Sequence, residues 1–217
     1  MEEKTISASR RTRTGSDDLR RRLVEAATAE FAEQGFDGAS GRSIAARAGA
    51  HQPQINYHFK SKTDLWKAVV DELMGRFDLA LRPLEGGDHS SRSLVEAAIR
   101  GAVTFAAANP ELGRIVVHEG TKESDRLAWL VDTHLRSNYQ ALSAVWDELR
   151  ASGQAAPIDA VTANYFLLGM ATSVYTSAPE ARLLADHDPF TAQHIAAHAD
   201  AVVALLLPAP QTQEPLA

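Results

Sequence analysis

The chain has 217 residues, 45% of them hydrophobic, a formal net charge of −6 and no cysteine. That length and composition describe a globular protein of one large domain, or of a small and a medium one. They exclude disulfides, thiolate nucleophiles and Cys-based zinc sites, which fits a reducing cytoplasm, and no run of 18 apolar residues is present to span a membrane.

Residues 1–16 read as a disordered basic tail with Arg10, Arg11 and Arg13, and they lack the apolar run of a secretory signal. The arginines could follow a minor groove, though a solvated extension is the simpler reading. Leu19, Leu23, Ala27 and Phe31 recur at i, i+4 spacing and predict a helix over 17–34, capped by Ser16 and ended by Gly35. Ser40 can cap a short helix over 41–48 with Ile44, Ala45 and Ala48 inward, and Gly49 stops it. A second short helix, 52–59, turns Ile55 and Phe59 inward. The capping-box pattern from Ser61 to Asp64 then opens a long helix over 62–83.

After an expected loop at 85–89, Ser93 and Glu96 form a second capping-box pattern before an Ala-rich helix to 108. Asn109-Pro110, Pro157 and Asp188-Pro189 predict helices over 110–119, 157–177 and 189–207. Residues 124–151 read as one helix with Leu127, Val131, Leu135, Leu142, Val145 and Leu149 inward. Residues 208–217, with three prolines, read as a disordered tail. No strand stands out. The expected fold is all-α, with about nine helices. A three-helix unit over 17–62 precedes a larger helical domain over 63–207, and the 62–83 helix joins the two rigidly.

Charge separates these parts. Residues 1–62 carry 11 Lys and Arg against 8 Asp and Glu, a balance of +3; residues 63–217 carry 11 against 20, a balance of −9. The basic end would face phosphates. Two short helices around a glycine turn at 49 match a helix-turn-helix. The second buries Ile55 and Phe59 and leaves Gln52, Gln54, Asn56, Tyr57 and His58 for base edges and phosphates. Gln and Asn can pair with adenine in the major groove, and Pro53 in the first turn offers an apolar surface to a thymine methyl. Residue types alone leave open a plain polar surface helix.

Residues 20–70 resemble the N-terminal domain of the TetR family of bacterial transcriptional regulators. The resemblance lies in "AEFAEQGFDGAS", "IAARAGA" and "INYHFKSKTDL", in that order and spacing. It covers about a quarter of the chain. It implies an all-α homodimer that binds double-stranded DNA. Ser40 and Arg42 would touch phosphate or base, Gln52, Pro53, Gln54 and Asn56 would face bases, and Tyr57, His58 and Lys62 would face phosphates. Two positions depart from the pattern. His51 stands where Ser is frequent, weakening that cap or turning it toward DNA. Asn56 stands where Tyr is frequent, which puts that tyrosine contact in doubt.

The resemblance also implies a dimer built by the last two long helices. Two stripes suit it: Asn164, Leu168, Ala171 and Tyr175, and Ile195, Ala199, Val202 and Leu206. Either stripe could equally face the monomer core. A pocket for an unknown small-molecule effector would draw on Phe77, Phe105, Trp129, Phe166 and Met170, with His118, His134 and Asn138 as polar groups. The function this implies is a repressor released from a palindromic operator by ligand, working in the bacterial cytoplasm on nucleoid DNA. The alternative is a DNA-binding or architectural factor of the same fold without a ligand. His194 and His198 have zinc-like i, i+4 spacing, yet a surface pair is the better reading. HExxH, GxSxG, Walker and GxGxxG motifs are absent. No catalytic residue, cofactor or metal is expected.

Overall fold

The computed structural model describes residues 2–81 and 90–209, with side chains from residue 16 onward. Among the described residues there is no strand. The helices are α1 (Glu2–Gly38), α2 (Gly41–Arg47), α3 (Gln52–His58), α4 (Lys62–Leu81), α5 (Ser91–Ala108), α6 (Pro110–Gly120), α7 (Asp125–Leu130), α8 (Arg136–Ala151), α9 (Ala160–Thr176), α10 (Ala178–Ala185) and α11 (Ala192–Leu206). A π turn, Val131–Leu135, joins α7 to α8. No described helix is long and apolar enough to cross a membrane. The expected loop at 85–89 and most of the expected C-terminal tail lie outside the described residues, as do the side chains of Arg10, Arg11 and Arg13.

Two compact units emerge. The first comprises Met1–Leu73 with Arg114–Leu127, and the second Met74–Gly113 with Ala128–Ala217. The division therefore falls inside α4, α6 and α7, and each of these helices supplies residues to both units. In the first unit, Leu23, Ala27, Phe31, Ile44, Leu65 and Val69 are fully buried or nearly so. The second unit packs Ile99, Val103, Trp146, Leu149, Tyr175 and Val202 into one core. Arg92 ties its ends together, donating to the carbonyls of Gln154 and, at 2.6 Å, Leu207.

Several expected boundaries move, each for a local reason. Helix α1 continues back to Glu2, so Ser16 lies inside it and does not cap it. Gly35 does break its geometry, at φ 66° and ψ 176°, and the next three residues form only a short turn. Ser90, not Ser93, caps α5, accepting from the Ser93 N–H at 3.3 Å. Asp159 caps α9, accepting from Thr162 at 2.7 Å, so that helix starts after Pro157. Thr191 caps α11 in place of Asp188. Helix α10 was not anticipated; Pro179 in its first turn is its start signal. The 124–151 segment is helical as expected, but the π turn inserts an extra residue. Leu149 is buried as expected and Leu142 and Val145 pack half-buried against the core; Leu127, Val131 and Leu135, nearer the π turn, are half-buried, and Leu130 and Trp146 are buried although the expected stripe left them out.

Candidate nucleic-acid interface

Ser40 starts α2 with its hydroxyl, which accepts from the Ser43 N–H at 3.0 Å. The helix ends in a Schellman motif: Ala50 N–H reaches the Ala45 carbonyl at 2.9 Å, and Gly49 N–H reaches Ala46 at 3.1 Å. Gly49 has φ +62°, a conformation that other residues adopt only with strain. Arg22 of α1 closes the turn by donating to the Ala48 carbonyl at 2.9 Å.

Helix α3 is anchored by Ile55 within it and Phe59 just beyond it, both 5% exposed. Its first turn is held by Gln54, whose Oε1 accepts from the His51 N–H at 2.8 Å. The Gln54 N–H meets the His51 carbonyl at 2.9 Å. The outward face carries His51, Gln52, Pro53, Asn56 and Tyr57, all exposed, with Tyr57 at 82%. His58 is half-buried with its ring edge-on to Tyr57 at 5.1 Å. The Gln52 amide nitrogen lies 3.7 Å from where a Cβ on Gly41 would stand, so α3 and the start of α2 form one continuous polar surface. Arg42 is exposed there with no hydrogen-bond or ion-pair partner among the described residues.

Lys62 sits differently. Its ammonium lies 4.6 Å from the Phe36 ring centroid and 3.5 Å from the Asp37 carbonyl. Burial is the main cause that lowers its pKa; Asp37 opposes the shift and Arg126 adds to it. Arg126 stacks over the same ring at 3.6 Å and pairs at 3.1 Å with Glu119, which is 5% exposed. Ser124 also donates to Glu119. Lys122 pairs with Asp37 at 3.2 Å, and its hydrogen bond is the chief reason the Asp37 carboxyl is held below its usual range. Sequence reasoning did not place 114–127 in this unit. The available signal was Glu119, a carboxylate four residues after Ile115 and so on the same buried face, where it needs a partner.

The remaining expected sites scatter. His118 belongs to the first unit, is exposed, and lies against Gly35, whereas the other proposed pocket residues belong to the second unit. There Phe77 packs edge-on to Phe105 at 5.2 Å, and Trp129 to His134 at 5.3 Å. Met170 is half-buried against the core, while Asn138 and Phe166 are exposed, so these two do not line an enclosed space within the chain. The dimer stripes need correction too. Ala171, Tyr175, Ala199, Val202 and Leu206 are buried inside the second unit, and Asn164 and Ile195 are half-buried. Leu168 alone among them is exposed. The apolar side chains that these helices expose are Val161, Tyr165, Phe166, Leu168 and Leu205. Helical periodicity marked the face turned to the core. The zinc-like pair is also committed elsewhere: His198 Nδ1 meets the Tyr175 hydroxyl at 3.0 Å, and His194 Nδ1 meets His187 Nε2 at 2.7 Å.

Residues 23–69 match the family model described as bacterial regulatory proteins, tetR family. That match takes in α2, α3 and the turn between them. It is 36% identical over 100 residues to the HTH-type transcriptional repressor SCO4008 of Streptomyces coelicolor, covering 46% of this chain and 48% of the relative. It is 35% identical over 101 residues to the HTH-type transcriptional activator FasR of Mycolicibacterium smegmatis, covering 44% and 46%. The chain thus spans about half the length of these relatives. In fold it is similar to AibR in complex with isovaleryl coenzyme A and operator DNA, with TM-score 0.71, 20% identity, and 88% and 98% of the two chains covered. It is also similar to FadR of Bacillus subtilis in complex with stearoyl-CoA, with TM-score 0.63, 19% identity, and 87% and 97% covered.

Proposed function

We propose that this chain is a TetR-type transcriptional regulator that binds a palindromic operator as a homodimer, represses from it, and is released by a small-molecule effector. The observation that carries this is the outward face of α3. A seven-residue helix is held by caps and by one buried residue while Gln52, Pro53, Asn56 and Tyr57 project from it unburied. That is the arrangement a helix needs to enter a major groove with its anchors behind it. Ser40 and Arg42, at the start of α2, and Tyr57 and His58 suit phosphates, which position the protein without specifying sequence.

One reading head makes few contacts, and a two-fold pair doubles them. The exposed apolar face of α9 and α11, with Tyr165, Leu168 and Leu205, supports a second copy as the partner. For the effector, the acyl-coenzyme A complexes of AibR and FadR support testing that class first. Because α4, α6 and α7 supply residues to both units, a ligand that shifts them acts on the reading head through continuous chain. A coupling of about 1–3 kcal/mol is the usual scale of such an effect. No catalytic role is proposed, and the work is assigned to the cytoplasm.

Selection from a random pool of double-stranded DNA tests this. A two-fold palindrome should be enriched, and acyl-coenzyme A thioesters of graded length should then be screened for release of the bound duplex. Weak, strongly salt-dependent binding with no enriched sequence would contradict a specific regulator.

A further inference from the structure

We propose that Gln54 selects a base that presents a keto oxygen in the major groove, guanine O6 or thymine O4, rather than pairing with adenine. This rests on the DNA-binding reading above and deepens it.

An amide side chain has one accepting oxygen and one donating NH2 group. A glutamine reads adenine by turning both toward the base, with oxygen to N6–H2 and nitrogen to N7. In this chain the Gln54 oxygen is already turned away. It lies 2.8 Å from the His51 backbone nitrogen, and a backbone N–H can only donate, so the atom facing it is the oxygen. The carboxamide is planar, and its NH2 group is therefore directed away from the cap. What Gln54 offers outward is a donor alone.

A lone donor discriminates by group. Facing a keto oxygen it gains a hydrogen bond, and on guanine N7 stands beside O6 as a second acceptor; facing the amino group of cytosine it meets another N–H, and on adenine the one acceptor, N7, stands beside the repelling N6 amino group. Each Watson–Crick pair sets one keto base against one amino base, so inverting the pair exchanges the two. Gln52 and Asn56 are exposed and carry no such constraint, which leaves adenine recognition to them. The half-burial of Gln54 fits its double task of capping α3 and reading one base.

The test is a selection with the full chain, run in parallel for wild type, Gln54→Glu and Gln54→Ala. A glutamate at this position still accepts from the His51 N–H, as in an ordinary capping box, but cannot donate. Wild type should show one half-site position with a preference for G or T of about 10-fold. In Gln54→Glu that position should invert to C or A while the others stay fixed. In Gln54→Ala the preference there should vanish. Circular dichroism and melting of each variant establish that it is folded. An enriched palindrome in which Gln54→Glu alters no position, or in which wild type prefers adenine where Gln54→Ala loses selectivity, would overturn the proposal while leaving the DNA-binding reading intact. No enrichment by wild type would remove both.

Discussion

Helix α3 buries Ile55 alone of its seven residues, whereas α9, with seventeen, buries Ala160, Ala163, Ala171 and Tyr175. Both leave large side chains in water, but of different kinds. On α3 the exposed groups are the amides of Gln52 and Asn56, the ring of Pro53 and the phenol of Tyr57; on α9 they are Val161, Tyr165, Phe166 and Leu168. A helix as short as α3 cannot hold itself together in water, so its stability is borrowed from the Gly49 turn, the Gln54 cap and the Ile55 and Phe59 anchors. None of its outward groups is needed for that. The surface of α9 is one that water disfavours and that another apolar surface would cover. One helix is shaped to meet a polar groove, the other to meet protein.

The largest expected effect is on the anchor of α3. Ile55→Ala should lower the urea-unfolding free energy by about 2–3 kcal/mol and abolish DNA binding, because the reading helix loses its only buried side chain. A loss below about 0.5 kcal/mol would mean that α3 is held by something other than this contact. Next is the turn. Gly49→Ala should cost about 1–2 kcal/mol from its φ of +62°, with little steric penalty, since the nearest atom to an added Cβ is Arg22 Nη1 at 3.5 Å. Thermal melting reads this directly, and an unchanged midpoint would refute the strain assigned to the turn.

A smaller effect concerns pH at the junction of α9 and α11. Burial lowers the pKa of both His194 and His198 from the ordinary value of 6.5; His187 adds to the shift of His194, and His194 to that of His198. The folded state then resists protons that the unfolded chain takes up near 6.5. Stability should be unaffected well above that pH and should fall as pH drops through 6.5 toward the folded values. Urea midpoints between pH 8 and 5.5 measure this slope, which should flatten in His198→Gln. Arg100, bound to Asp200 at 2.5 Å, has its pKa raised chiefly by that hydrogen bond and gives no competing slope.

The smallest effect on folding is expected on the apolar face. Leu168→Glu should change monomer stability by no more than about 0.5 kcal/mol, because the side chain is exposed. The same change should convert the sedimenting species from dimer to monomer. A variant that still sediments as a dimer would place the partner surface elsewhere.

How much of this was legible in the sequence differs between the two helices for a physical reason. The frame of the reading head is written in local signals: Ser40, Gly49 and Ser61 each act within a few residues, and the structure places each where those rules put it. The outward residues of α3 followed from subtracting Ile55 and Phe59. In the second unit the same method left each stripe open to core or dimer. The periodic stripes through Ala171 and Tyr175, and through Ala199, Val202 and Leu206, belong to the core, and the face left over carries the exposed apolar groups. Periodicity finds one buried face and cannot rank two. The π turn carries no compositional mark, and the stacking of Arg126 on Phe36 joins residues ninety positions apart in sequence. The accepting role of Gln54 is local, but choosing between cap and base needed its geometry.

The central claim is that the exposed face of α3 reads DNA sequence. Its most direct measurement is the ratio of affinities for the enriched palindrome and for a scrambled duplex, by fluorescence anisotropy at one fixed salt concentration. Wild type should prefer the palindrome by about a thousandfold or more. Gln52→Ala with Asn56→Ala should collapse that ratio toward one while leaving the melting midpoint and the affinity for scrambled DNA nearly unchanged. A folded double variant that keeps the full ratio would contradict the account and move sequence reading away from α3.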